Sequence, residues 1–145
     1  MTNVTLAQAE IIATETLKKG RELNAAPLTV VVLDSGGHIV VAKREDNSGI
    51  ARIEIASGKA WGALGMGLPS RALATRSQKM PAFFTAAAAA TDGRMVPVPG
   101  GVLFGTGNRQ ISGAVGVSGD LSDVDETCAV AGVQAAGLVP DTDDR

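Results

Sequence analysis

An α+β fold with a mainly antiparallel sheet follows from three features of the sequence. Two pairs of apolar runs are each joined by a short glycine-rich loop: Leu28–Leu33 with His38–Arg44, and Val102–Phe104 with Ile111–Val117. Runs joined this way read as β-hairpins. Amphipathic helical patterns stand near both chain ends, over residues 5–24 and 120–137, where they would cover the sheet. The order is helix, hairpin, helices, hairpin, helix, and no internal repeat is evident.

The first helix carries Leu6, Ala9, Ile12, Ala13, Leu17 and Leu23 on one face. Thr5 and Gln8 form a capping-box pattern, and Lys18, Lys19 and Arg21 suit the negative end of the helix. Asn24 and Pro27 stop it. The run LTVVVL is apolar on both faces, which places it inside the sheet with helices over it. The turn Asp34–Gly37 leads into His38–Arg44.

Residues 50–64 form the next helix, with Ile53, Ala56, Ala60 and Leu64 on one face. Its other side holds the small residues Ser57, Gly58, Gly62 and Ala63. Two readings stand: close packing, or room for a ligand. Residues 70–77 suggest a short helix capped by Ser70. Residues 81–90 suggest a helix with proline in its first turn and an alanine run that suits an interface. Met95–Pro99 runs extended into the second hairpin, whose loop is Gly105–Asn108. Gly113, Gly116 and Gly119 mark places where another backbone or a ligand comes close. The last helix takes Ser122 as N-cap and Asp125 as its box partner. Val124, Cys128, Ala131 and Ala135 form its apolar stripe. Residues 138–145 read as a polar tail.

At 145 residues the chain is one domain, spanning 1–145 with its core over about 5–137. The net charge of −2 gives no footprint for nucleic acid, and no polybasic segment suggests a membrane surface. No signal peptide and no run of ~20 apolar residues appear, so a cytoplasmic location is the expectation. A single cysteine, Cys128, allows no internal disulfide and reads as a small buried hydrophobe.

The segments DSGGHIVVAKRED, IEIASGKAWGALG, PGGV and ISGAVGVSGDLSDVD, in that order, resemble the GlcG/HbpS-like haem-binding family. The same domain forms the C-terminal half of PduO-type corrinoid adenosyltransferases. The resemblance runs from about Leu6 to Gly137. It implies a profilin-like α+β sandwich with a five-stranded antiparallel sheet and flanking helices. It also implies a homo-oligomer, from dimer to octamer, with haem as a possible cofactor. The chain departs from the family where Leu103 follows PGGV in place of proline. It also has only one histidine, so no haem site can rest on a second one.

His38 is thus the one imidazole, a possible haem iron ligand or proton shuttle, or else a turn residue bonded to backbone. Met66, Met80, Met95 and Cys128 are other iron ligands on paper. The absence of CxxCH excludes covalent c-type attachment. Trp61, Phe83, Phe84 and Met80 could line an apolar pocket. Arg44, Glu54 and Lys59 match charged positions that recur in the family. Arg44 and Lys59 beside the Gly100–Gly101 amides could hold a carboxylate. Surface pairing of Glu54 with Lys59 or Arg52 is the alternative. Ser118 is a possible donor to a ligand. Asp120, Asp123, Asp125 and Glu126 fit helix capping better than a cation site.

The resemblance thus favours an oligomeric small-ligand-binding protein, with haem or a related tetrapyrrole as best single ligand. An alternative is an enzyme acting on a small carboxylate or hydroxy-acid. Its candidate catalytic residues are His38 and Lys59, in a pocket with Arg44 and Gly100–Gly101. A third is an accessory oligomer subunit with no ligand of its own.

Overall fold

The computed structural model describes residues 2–145. Helix α1 (Leu6–Glu22) opens the fold, and its capping box forms: Thr5 Oγ1 accepts from the Gln8 N–H, and Gln8 Oε1 from the Thr5 N–H. Then follow β1 (Thr29–Asp34), β2 (Ile39–Arg44), α2 (Arg52–Met66), α3 (Ser70–Lys79), α4 (Pro81–Ala90), β3 (Gly101–Gly105), β4 (Gly113–Ser118), α5 (Ser122–Ala135) and β5 (Val139–Asp141). The strands lie in the order β2-β1-β4-β3-β5, and every pairing is antiparallel. The expected α+β class with a five-stranded antiparallel sheet is what forms.

Side chains alternate between the two faces of the sheet. Val30, Val32, Val115 and Val117 pack with Ile12, Ala13, Cys128 and Val133 of α1 and α5. Val31, Leu33, Leu103 and Ala114 pack on the other face with Ala56, Ala60 and Ala63 of α2. Both faces are therefore dry, which is why LTVVVL reads as an unbroken apolar run. A small satellite of Leu73, Phe84 and Met95 ties α3 and α4 to the α2 side.

Four expectations need correction. Residues 138–145 are not simply a tail: Val139–Asp141 is an edge strand on β3. Its polarity reflects a solvent-facing edge, where Pro140 is tolerated. The Arg145 guanidinium holds Asp141 through two bonds of 3.0 Å. The β3–β4 loop is longer than Gly105–Asn108, because Asn108 and Arg109 both take positive φ and Ile111 leaves the sheet. Ser122 is inside α5 rather than its cap, and Asp125 turns inward to a lysine. Ser70 does not cap α3 either.

Ser70 instead reaches across to β3. Its Oγ accepts from the Gly101 N–H at 2.7 Å and donates to the Gly101 carbonyl at 3.2 Å, fully buried. Ser70→Ala leaves that N–H without a partner, at a cost of about 1–3 kcal/mol. Thermal unfolding should show a fall of several degrees, at about 2–4 °C per kcal/mol for a chain of this size. An unchanged midpoint would show that the clamp carries no stability.

Candidate functional site

Glycines let α2 lie close against its neighbours. A Cβ on Gly116 of β4 would run into the Ala56 carbonyl, and one on Gly101 into the Lys59 carbonyl. On its outer side, Gly58 and Gly62 admit Val96 and Met95. The connector between α4 and β3 is thereby laid along α2, and the Val96 N–H donates to the Gly58 carbonyl at 3.1 Å. Close packing is therefore what the small residues of α2 serve first. It also shapes a groove.

That groove, about 370 Å³, lies between α2 and the β1–β2 turn. Leu33, Ile39, Ile53 and Trp61 make its apolar walls, with Gly37, Glu54 and Arg94 completing it. Gly37, at φ +83°, brings its backbone against the indole, where a Cβ would stand 3.1 Å from the ring. The Arg94 guanidinium lies over the Trp61 ring, 4.1 Å from its centroid. Such a stack contributes about 0.5–1 kcal/mol at an exposed site. Beyond Trp61 a second groove of about 400 Å³ runs between α2 and α4, lined by Met66, Phe83, Ala86 and Met95 among others. A depression of about 440 Å³ between the β3–β4 loop and β5 is larger. Its charges are committed: Arg109 to Asp143, and Asp141 to Arg145.

His38 stands on the turn beside the first groove. Its Nδ1 is 3.1 Å from Asp34 Oδ1, and its side chain is 80% exposed. An ionised carboxylate only accepts, so it favours the proton on Nδ1 and leaves Nε2 with a free lone pair. Asp34 is fixed in turn by the N–H groups of His38 and Gly36, both at 3.0 Å. The His38 N–H is the main reason its pKa lies below the ordinary 3.8. His38 is therefore a turn residue whose ring is bonded to the Asp34 side chain rather than to backbone, with Nε2 open.

Lys59 is placed quite differently from a solvent-facing cation. It is 3% exposed, with Nζ 2.8 Å from the Val117 carbonyl and 3.1 Å from Asp125 Oδ2. Asp125 Oδ1 accepts from the Asp120 N–H at 3.0 Å. Burial holds the Lys59 amine below its usual range and the Asp125 carboxyl above its own, while their attraction opposes both shifts. Neither Arg52 nor Glu54 pairs with Lys59. Arg52 donates to Ser118 Oγ at 3.0 Å, and Ser118 is fully buried.

The expected pocket of Arg44, Lys59, Gly100–Gly101 and His38 does not form within the chain. His38 immediately precedes β2 and Arg44 ends it, about 20 Å apart at the rise of an extended strand. Gly100 and Gly101 do pack against Lys59, but the Gly101 amide is taken by Ser70. Arg44 borders a shallow depression with Arg21 and Glu45. Phe84 is in the satellite core, while Phe83 and Trp61 line the second groove. Cys128 is buried, its thiol pushed up to about 11 mainly by burial, so it is inert as a ligand. Asp123 and Glu126 bind Arg71 of α3, so the acidic start of α5 is an interhelix tie as much as a cap.

Sequence reasoning missed Arg94 and the groove role of Ile39 and Ile53. The β1–β2 hairpin and the i, i+4, i+8 series Ile53, Ser57, Trp61 were available signals. Arg94 follows a glycine in a connector and gave none.

A model of the family described as haem degrading protein HbpS-like matches residues 4–134. A search of curated proteins finds no match. Among solved structures, the Klebsiella pneumoniae protein ORFY superposes with a TM-score of 0.85 at 26% identity, covering 94% of this chain and 92% of that one. HbpS gives 0.79 at 26% identity, covering 92% and 90%. A PduOC:heme complex gives 0.84 at 20% identity, covering 94% and 97%, a likeness of fold. With nearly the whole chain matched and the fold shared, the protein belongs to the HbpS-like family.

Proposed function

We propose that the chain binds a tetrapyrrole, with haem as best single ligand, in the groove between the β1–β2 turn and α2. One observation carries the reading. The only histidine, anchored by Asp34 and open at Nε2, stands on the turn whose Gly37 closes an apolar groove against Trp61. Haem asks for an apolar bed, one strong axial ligand and cations for its propionates. Leu33, Ile39, Ile53 and Trp61 offer the bed, His38 the imidazole, and Arg94 the cation. Asp34 orients the ring, as carboxylates behind metal-bound histidines do. The bound iron would supply any redox chemistry; the chain binds and orients. The alternative in which Lys59 grips a substrate acid loses support, because that amine is buried on Asp125.

We also propose self-association. Helix α4 has no charged residue, yet only Phe84 on it is buried. A helix apolar all round is ordinarily covered. No helix among the described residues is long and apolar enough to cross a membrane.

Haem titration followed by absorbance, together with mass in solution, tests both. His38→Ala should lose the shifted Soret band of the wild type, and Asp34→Asn should bind about tenfold more weakly. Binding indifferent to both substitutions would remove His38 from the site.

A further inference from the structure

We propose that Arg94 selects ligands that carry a carboxylate, by leaving the face of Trp61 and pairing with that group when a flat ligand takes its place. The inference rests on the ligand reading above and adds the ligand's charge and the residue that reads it. The guanidinium occupies the place on the indole where a planar ligand would stack, 4.1 Å from the ring centroid. Its Nε donates to the Thr91 carbonyl at 3.1 Å. Among the described residues no carboxylate forms an ion pair with it, whereas Arg71, Arg109 and Arg145 all have one. Among the described residues Arg94 is also the only cation lining the groove. Glu54, the other charged group there, repels a carboxylate, so discrimination for an anionic ligand falls to Arg94.

The backbone beneath Arg94 is held while its side chain is exposed. A Cβ on Gly58 would meet the Arg94 carbonyl at 2.9 Å, and the Val96 N–H is bonded to Gly58. Swinging the side chain off the indole therefore leaves the backbone in place and gives up the bond from Nε to the Thr91 carbonyl. The stack that is lost is replaced by the ligand's own stack on Trp61, and the guanidinium gains a charged partner.

The test compares haemin with haemin dimethyl ester, in one water–dimethylsulfoxide mixture, for wild type, Arg94→Ala and Arg94→Lys. Soret absorbance and Trp61 emission are the readouts, and circular dichroism checks the fold. Wild type should prefer the free acid by about tenfold, Arg94→Ala should bind acid and ester alike, and Arg94→Lys should recover part of the preference. An unchanged acid preference in Arg94→Ala overturns the role of Arg94 and leaves the haem reading standing. Equal wild-type binding of acid and ester overturns it in the same way. Absence of saturable binding by either compound in wild type overturns the haem reading and this inference together.

Discussion

Lys59→Met should cost about 3–5 kcal/mol, the largest loss expected from any single side chain in the fold. The substitution leaves the Asp125 carboxylate buried at 1% exposure with no cation, facing only the Asp120 N–H. The pair itself is not a source of net stability. Burial outweighs attraction for both partners, since the amine lies below its usual range and the carboxyl above its own. Lys59→Met combined with Asp125→Asn keeps an acceptor for Asp120 and removes both charges. Urea denaturation should show the double variant recovering about 2 kcal/mol or more of the summed single losses. The pH dependence has a definite sign. A carboxyl raised in the folded state costs stability above its folded pKa, and that cost vanishes below the unfolded value of 3.8. Lys59→Met should therefore lose less relative to wild type as the pH falls from 7 toward 4. Equal stability of wild type and Lys59→Met at pH 7 would contradict this account.

Gly116→Ala should be nearly as damaging, at about 3 kcal/mol, the upper end of what overpacking does. The added methyl would meet the Ala56 carbonyl and the Ala60 methyl, and the obstacle is helix backbone, not a movable side chain. Either α2 lifts off the sheet or β4 bends. Gly67→Ala is the contrast. It has open space within 4 Å and pays only for its φ of +70°, about 1–2 kcal/mol. Near-equal midpoints for the two variants would mean that α2 does not rest on β4 as closely as described.

Much of the fold was legible because its signals are local. Thr5 and Gln8 announce α1, LTVVVL announces a strand with two dry faces, and the Asp-Ser-Gly-Gly turn announces the first hairpin. Pro81 marks the start of α4 at the residue where it begins. Where the reading failed, a distant partner had overridden a local motif. Ser70, Ser122 and Asp125 look like caps in sequence. Ser70 is drawn to Gly101, 31 residues away, and Asp125 to Lys59, 66 away. Lys59 looked like a free cation because nothing near it in sequence shows that a sheet end will cover it. The strand Val139–Asp141 is short and polar, so only its pairing with β3 reveals it. At the site, the His38 turn and Glu54 were readable. Gly37 of that turn and Glu54 line one groove because α2 packs over β1, and Arg94 enters only because Gly58 admits the connector. His38 and Arg44, close in sequence, are separated by the length of one strand.

Titration of the protein with haemin, followed at once by the Soret band and by the emission of Trp61, tests the ligand reading most directly. Trp61 is the sole tryptophan and forms a wall of the groove. The expected result is saturation at one haemin per chain, with the Soret shift and the quenching of Trp61 sharing one midpoint. Absence of saturation, or a Soret shift that leaves Trp61 emission unchanged, would contradict the assignment of the groove.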